Sequence, residues 1–198
     1  MNILPVMEHF YTLQGEGFNT GKPAYFIRLA GCDVGCVWCD VKESWDEKLH
    51  PSINIDDLIE LVNPNSQYVV VTGGEPTLHN LNVLTEKLHQ INKFICIETA
   101  GTNLITGNFD WICLSPKKFK KPMDENLLIC NEFKVIVYNL SDFEWAESFL
   151  EKLNPECKLY LQPEWSKKDV LIPLIVSYVK ENPRWSISLQ THKYINIP

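Results

Sequence analysis

Three thiols, Cys32, Cys36 and Cys39, fall within the stretch Cys32-Asp-Val-Gly-Cys36-Val-Trp-Cys39, just after the apolar run Ala24 to Ala30. A C-x3-C-x2-C spacing lets one loop bring three thiolates to a single polynuclear metal centre, and no other segment of the chain offers that. Clusters of the 4Fe–4S kind usually take four thiolates. A set of three with no evident fourth neighbour leaves one iron open for chemistry. The competing reading is a structural zinc site of the Cys3His kind, which normally pairs two short ligand spacings; no second pair at that distance follows. Cys96, Cys113, Cys130 and Cys157 lie singly in or beside apolar runs. There a free thiol behaves as a small buried hydrophobe, and a reducing compartment keeps it so.

The elements that must position this loop alternate between two periods. Tyr25 to Leu29 reads as a strand with the cysteine loop at its C-terminal end, whereas the opening Glu8 to Gly17 ends in a glycine-punctuated turn and reads as loop. Ile55, Leu58, Ile59 and Val62 recur at helical spacing, with Asp56 and Asp57 at the favourable N-terminal end and Asn63-Pro64 as the stop. Tyr68 to Thr72 is a short β-branched run halted by Gly73-Gly-Glu-Pro76; Leu78, Leu81, Leu84, Leu88 and Ile91 then mark an amphipathic helix. Further strands are expected over Phe94 to Glu98, Trp111 to Ser115, Phe133 to Tyr138, Lys158 to Gln162 and Trp185 to Gln190. Helices are expected from Ser141, with Ser141 and Glu144 as a capping box, and over Lys168 to Glu181.

Alternating strands and helices imply parallel strands joined by right-handed crossovers. Candidate functional groups follow several different strands, which points to the mouth of a β/α barrel rather than to an open doubly wound sheet. About six or seven mostly parallel strands, with helices missing after some, predict an α/β fold of the partial, TIM-like β/α barrel kind. At 198 residues, with no linker, repeat or low-complexity segment, residues 1–198 are expected to form a single domain.

Composition narrows the function classes. Hydrophobic residues at 45% and aromatics at 11% exclude a disordered chain, and no apolar run approaches bilayer-spanning length. The net charge of −7, from 18 basic and 25 acidic residues, argues against a surface built to hold phosphate backbone. The basic run Lys117-Lys-Phe-Lys-Lys121 reads as a solvated loop. The first residues lack a basic segment followed by an apolar one, so a cytoplasmic location is expected, with no direct nucleic-acid or membrane partner.

Taken with Gly73-Gly-Glu-Pro76 one strand later, the cysteine spacing resembles that of the radical S-adenosylmethionine (SAM) enzymes. Thr12-Leu-Gln-Gly-Glu-Gly17, Phe26-Ile-Arg28, Trp38-Cys-Asp40, Thr72-Gly-Gly-Glu-Pro76, Glu98-Thr99, Ser115-Pro-Lys117 and Gln190-Thr-His-Lys-Tyr-Ile-Asn-Ile-Pro198 together resemble the 7-carboxy-7-deazaguanine synthases. The ordered set covers the chain nearly end to end. The resemblance implies a partial barrel of the radical SAM type, a 4Fe–4S cluster, SAM and Mg2+ as cofactors, and a homodimer served by a flavodoxin- or ferredoxin-type electron donor. It implies that 6-carboxy-5,6,7,8-tetrahydropterin becomes 7-carboxy-7-deazaguanine with loss of ammonia, on the route to deazapurines such as queuosine. A radical formed from SAM would take hydrogen from the ring carbon bearing the carboxylate, and SAM would be regenerated.

Residue by residue, the resemblance implies that Cys32, Cys36 and Cys39 hold the cluster and that Gly74, Glu98, Ser115, Lys117 and Gln162 hold SAM. Leu13, Gln14, Gly15 and Glu16 would bond the pterin, Arg28 would face its carboxylate, Thr72 and His192 would lie beside the ring, and the carboxylate of Pro198 would reach it. An edge of donors and acceptors suits carboxylate and amide partners, and a carboxylate suits the arginine fork. Taken alone, Arg28 reads as a structural ion-pair partner, His192 as an exposed residue of a terminal tail, Glu16 as a solvated loop residue and Trp38 as packing. The family usually has Thr or Ser after the Cys-Asp pair, in contact with magnesium; here Asp40 is followed by Val41, which has no oxygen for a hard cation. Two other functions share the cysteine triad: a glycyl-radical-activating enzyme, which needs a groove for a protein segment, and a non-catalytic iron–sulfur or zinc protein.

Overall fold

The computed structural model describes residues 2–198. Its nine strands are β1 (Ile3–Leu13), β2 (Pro23–Leu29), β3 (Ser52–Asn54), β4 (Tyr68–Gly73), β5 (Phe94–Thr99), β6 (Trp111–Leu114), β7 (Glu132–Val137), β8 (Lys158–Pro163) and β9 (Trp185–Ile187). Six α-helices accompany them: α1 (Ile55–Leu61), α2 (Asn82–Gln90), α3 (Asp124–Ile129), α4 (Ser141–Glu147), α5 (Lys168–Glu181) and α6 (Thr191–Ile195). All nine strands form one sheet in the order β3-β1-β2-β4-β5-β6-β7-β8-β9. From β2 through β9 every pairing is parallel, and β1 runs antiparallel to both β2 and β3.

Strand alternation divides the chemistry between the two faces of this sheet. Ile27, Leu29, Val69, Val71, Ile95, Ile97, Leu114, Phe133, Val135 and Leu161 are fully buried against the helices in the main core. Their neighbours on the same strands point the other way. Phe26, Val70 and Cys96 form a small apolar floor, and Arg28, Thr72, Glu98, Lys134 and Gln162 stand above it as polar groups. The loop between β1 and β2 crosses that face: Gly17 N donates to Ser188 Oγ beyond β9 (2.9 Å) and Phe18 N to Glu132 Oε2 on β7 (3.3 Å). The β1–β2 connection is thus joined across the open face to the β7–β9 side of the sheet, in keeping with the expected incomplete barrel.

Several elements differ from their sequence-based expectation. The opening segment is the longest strand, β1, because Leu4 and Val6 alternate inward while its second half pairs with β2 through Phe10↔Phe26 and Thr12↔Ala24. The capping box at Ser141 and Glu144 is absent; Asn139 Oδ1 accepts from Ser141 N (3.0 Å), and Asp142 Oδ2 accepts from the amides of Tyr138 (2.7 Å) and Asn139 (2.8 Å). The last strand ends at Ile187, and the tail that follows winds into α6. Cys130 and Cys157, apart in sequence, meet with their sulfurs 3.5 Å apart. At α1 the expectation holds, with Asn54 Oδ1 capping Asp56 N at 2.9 Å.

Candidate active site

A cavity of about 570 Å3 opens over the C-terminal ends of the parallel strands, within the range of small-molecule and cofactor sites. All the residues singled out in the sequence lie on its wall. Cys32, Cys36, Cys39, Asp40 and Val41 come from the loop after β2, and Leu13, Gln14, Gly15 and Glu16 from the end of β1 and the turn beyond. Arg28 and Thr72 are register partners on β2 and β4, Gly74 follows β4, and Glu98 and Gln162 lie on β5 and β8. Ser115 and Lys117 follow β6, and His192 and Pro198 belong to the C-terminal segment.

The cysteine wall is apolar. Val34, Cys36 and Ala100 are buried together, with Cys32, Trp38 and Cys39 packed against them. Burial keeps the Cys32 thiol above its ordinary value and pushes that of Cys36 up to about 11, so a metal must offset the desolvation of the thiolates it binds. Among the described residues no three His, Cys, Asp or Glu side chains are grouped as a single-ion site. The two glycines at the end of β4, Gly73 and Gly74, are required by protein packing. A Cβ on Gly73, where φ is +148°, would stand 2.1 Å from the Leu29 carbonyl oxygen. One on Gly74 would stand 2.3 Å from the Gly31 carbonyl oxygen and 2.8 Å from Cys32 Cβ. Glu75 of the same turn is buried and fastens it to β5, accepting from Ala100 N (2.8 Å) and from the Thr99 hydroxyl.

Opposite the cysteines the wall is a connected polar network. Gln14 Nε2 donates to Glu98 Oε1 (2.8 Å), and Glu16 N donates to Gln14 Oε1 (3.1 Å). Glu16 Oε1 accepts from Gln190 Nε2 (2.9 Å), and Glu16 Oε2 lies 2.5 Å from Lys134 Nζ. Burial alone would raise the Glu16 carboxyl, yet the Lys134 ammonium overrides it and holds the group at about 2. Arg28 joins Glu8 through Nε at 2.7 Å, so its ion-pair reading is met while it also lines the cavity.

The tail and the basic run close the rim. Thr191 N donates to Gly15 O (2.8 Å), and a Cβ on Gly15 would stand 2.1 Å from His192 Nδ1. Burial lowers the His192 pKa. Lys193 Nζ donates to Asp40 Oδ2 (2.7 Å) and lies over the Trp165 ring at 5.2 Å. In the basic run Lys117 turns inward and donates to Ser115 Oγ (2.7 Å), Lys118 pairs with Asp142 (2.5 Å) and Lys120 with Asp33 (2.5 Å). The sequence motifs include neither Lys134 nor Trp165, and they give Gln190 and Lys193 no role of their own. For Lys134 a signal existed: a lysine in the middle of the apolar run Phe133-Lys-Val-Ile-Val137.

Comparison with known proteins follows this geometry. Residues 26–119 match the Radical SAM superfamily. The 7-carboxy-7-deazaguanine synthase of Flavobacterium psychrophilum is 54% identical over 196 residues, covering 99% of this chain and 93% of that protein. The protein of that name from Synechocystis is 43% identical over 194 residues, with 98% and 93% covered. The crystal structure of QueE from Escherichia coli superposes with a TM-score of 0.86 at 32% identity, over 96% of this chain and 95% of that one.

Proposed function

The chain belongs to the family of 7-carboxy-7-deazaguanine synthases, and on that premise we propose how its cavity divides among cluster, SAM and substrate. It is a radical SAM enzyme of queuosine biosynthesis, converting 6-carboxy-5,6,7,8-tetrahydropterin to 7-carboxy-7-deazaguanine with loss of ammonia. The residues fit the cofactors: three thiols, none in a disulfide, share one apolar wall, and hydrogen-bonding groups for a second small molecule stand on the adjoining strands. When bound, the 4Fe–4S cluster and SAM supply the radical that removes hydrogen from the substrate.

In this assignment Cys32, Cys36 and Cys39 hold the cluster, while Val34, Trp38 and Ala100 keep water from it. Gly74, Glu98, Ser115, Lys117 and Gln162 hold SAM. Leu13, Gln14, Gly15 and Glu16 bond the pterin ring edge, Arg28 faces its carboxylate, and Thr72, register-paired with Arg28, lies beside the ring. His192 lies beside the ring, positioned against Gly15, and the terminal carboxylate of Pro198 completes the rim. The observation that carries the assignment is that residues from both ends of the chain and from five parallel strands or their following loops line one cavity. Residues 1–198 act as one domain, since a single sheet runs from β3 to β9. A flavodoxin- or ferredoxin-type protein supplies the electron, and the chain pairs as a homodimer.

Replacing Cys32, Cys36 or Cys39 singly by alanine tests the cluster assignment. Each anaerobically reconstituted variant is expected to lose its iron and visible absorbance, with Cys157→Ala unaffected. Full iron content and an unchanged spectrum in any of the three would refute it.

A further inference from the structure

Lys134 is a cation of the cavity wall to which neither the motifs nor the family assignment gives a task. It stands within β7 with its side chain 3% exposed, its Nζ 2.5 Å from Glu16 Oε2 and 3.9 Å from Glu98 Oε1. Its neighbours Phe133 and Val135 point to the helix side and are fully buried. A buried ammonium is strongly unfavourable unless paired, and apolar residues of similar volume often replace buried ion pairs without loss of stability. A fold that needed only a filled strand position could use an apolar side chain here. The partner is what distinguishes the site: Glu16, a carboxylate on the connection between β1 and β2, lies outside any regular strand.

The bonds around Glu16 fix its plane. Gln190 Nε2 takes Oε1 at 2.9 Å, Lys134 takes Oε2, and the backbone amide of Glu16 is tied to Gln14 Oε1 at 3.1 Å. Gln162 adds a third side-chain donor to the same carboxylate; its two oxygens together have about four acceptor sites, so the group keeps capacity for a ligand. We infer that Lys134 is a positioning residue for the pterin: its ammonium holds the Glu16 carboxylate in one orientation, with the remaining lone pairs presented to N–H donors of the ring edge. The inference rests on the assignment of Glu16 to the substrate. Lys134 acts through that carboxylate and touches neither SAM nor the reacting carbon. Glu132, two residues earlier on the same strand and 3% exposed, adds a further acidic group near the ammonium but does not line the cavity.

The test compares wild type, Glu16→Gln, Lys134→Met and the Glu16→Gln/Lys134→Met pair, each reconstituted with its cluster. Anaerobic titration with 6-carboxytetrahydropterin in the presence of SAM gives affinity, and turnover gives KM and kcat. Both single variants are expected to bind the pterin at least tenfold more weakly, with KM raised, kcat within about threefold of wild type and iron content unchanged. The double variant should bind no more weakly than Glu16→Gln, because Lys134 has nothing further to position once that carboxylate is gone. In the double variant neither the Glu16 carboxylate nor the Lys134 ammonium is left buried without the other, so its comparison with Glu16→Gln does not depend on Lys134→Met folding alone. Wild-type affinity in Lys134→Met, or losses that multiply in the double variant, overturns the role of Lys134. Wild-type affinity in Glu16→Gln overturns the assignment of Glu16 itself, a result separable from the first.

Discussion

Val41 follows Cys39 and Asp40 with a side chain that offers no oxygen, and Asp40 beside it is already bonded to the Lys193 ammonium at 2.7 Å. A hard cation such as magnesium needs oxygen ligands. The magnesium requirement of this enzyme is therefore expected to be weaker than in relatives with Thr or Ser at this position, and Val41→Thr is expected to strengthen it. Turnover with chelator and with added magnesium checks this, and an unchanged, full requirement in both proteins contradicts it.

Glu16 carries a second consequence at this scale. A carboxyl ordinarily near 4.5 but held at about 2 in the folded chain stabilises the fold above its unfolded value, and that stabilisation is lost as pH falls from 4.5 towards 2. Urea unfolding at stepped pH is expected to show Glu16→Gln losing less stability than wild type across that window; parallel losses would contradict the pairing with Lys134. Glu16 was legible because it sits in the Thr12-Leu-Gln-Gly-Glu-Gly17 motif. Lys134 stands out in the sequence only as a charge within an apolar run, and that signal gains meaning only from a partner 118 residues away.

Among the elements, α2 shows how far periodicity reaches. The stripe Leu78, Leu81, Leu84, Leu88 and Ile91 marks the helix, but only Leu81, Leu84 and Leu88 are fully buried; Leu78 and Ile91, at 40% exposure, lie beyond its ends. Leu84→Ala is expected to cost about 2–5 kcal/mol of stability, and Leu78→Ala less than about 1 kcal/mol. Urea denaturation of both checks the contrast, and equal losses would place the core elsewhere. Strand β1 escaped notice for a physical reason. Its second half, Glu8 to Leu13, mixes polar and aromatic residues because it pairs with β2 at the side of the sheet that also borders the cavity. Helix α6 escaped for another: its residues are only partly buried, and its place depends on contacts with Gly15 and Asp40, which are remote in sequence.

For the molecule as a whole, the alternation of strands and helices predicted the parallel sheet, and the scatter of functional groups over many strand ends predicted its curling. Seven parallel strands in sequential order, β2 and β4 through β9, meet the expectation of about six or seven. The antiparallel addition of β1 and β3 required knowledge of which edge the first residues would find. Among the described residues no helix is long and apolar enough to cross a membrane. The candidate site residues were named through the motif resemblance, and they line one cavity because most lie at or just beyond strand ends around its mouth. The network behind them was less legible, since the meeting of Lys134 and Gln190 on Glu16 joins residues remote in sequence.

The central claim is that this cavity converts a carboxylated tetrahydropterin using a three-cysteine cluster and SAM. Its most direct test is anaerobic incubation of the reconstituted protein with SAM, a reductant and 6-carboxytetrahydropterin, followed by product analysis. The expected products are 7-carboxy-7-deazaguanine and an equal amount of ammonia, with many turnovers for each SAM supplied. An iron-loaded protein that cleaves SAM yet leaves the pterin unchanged would contradict it.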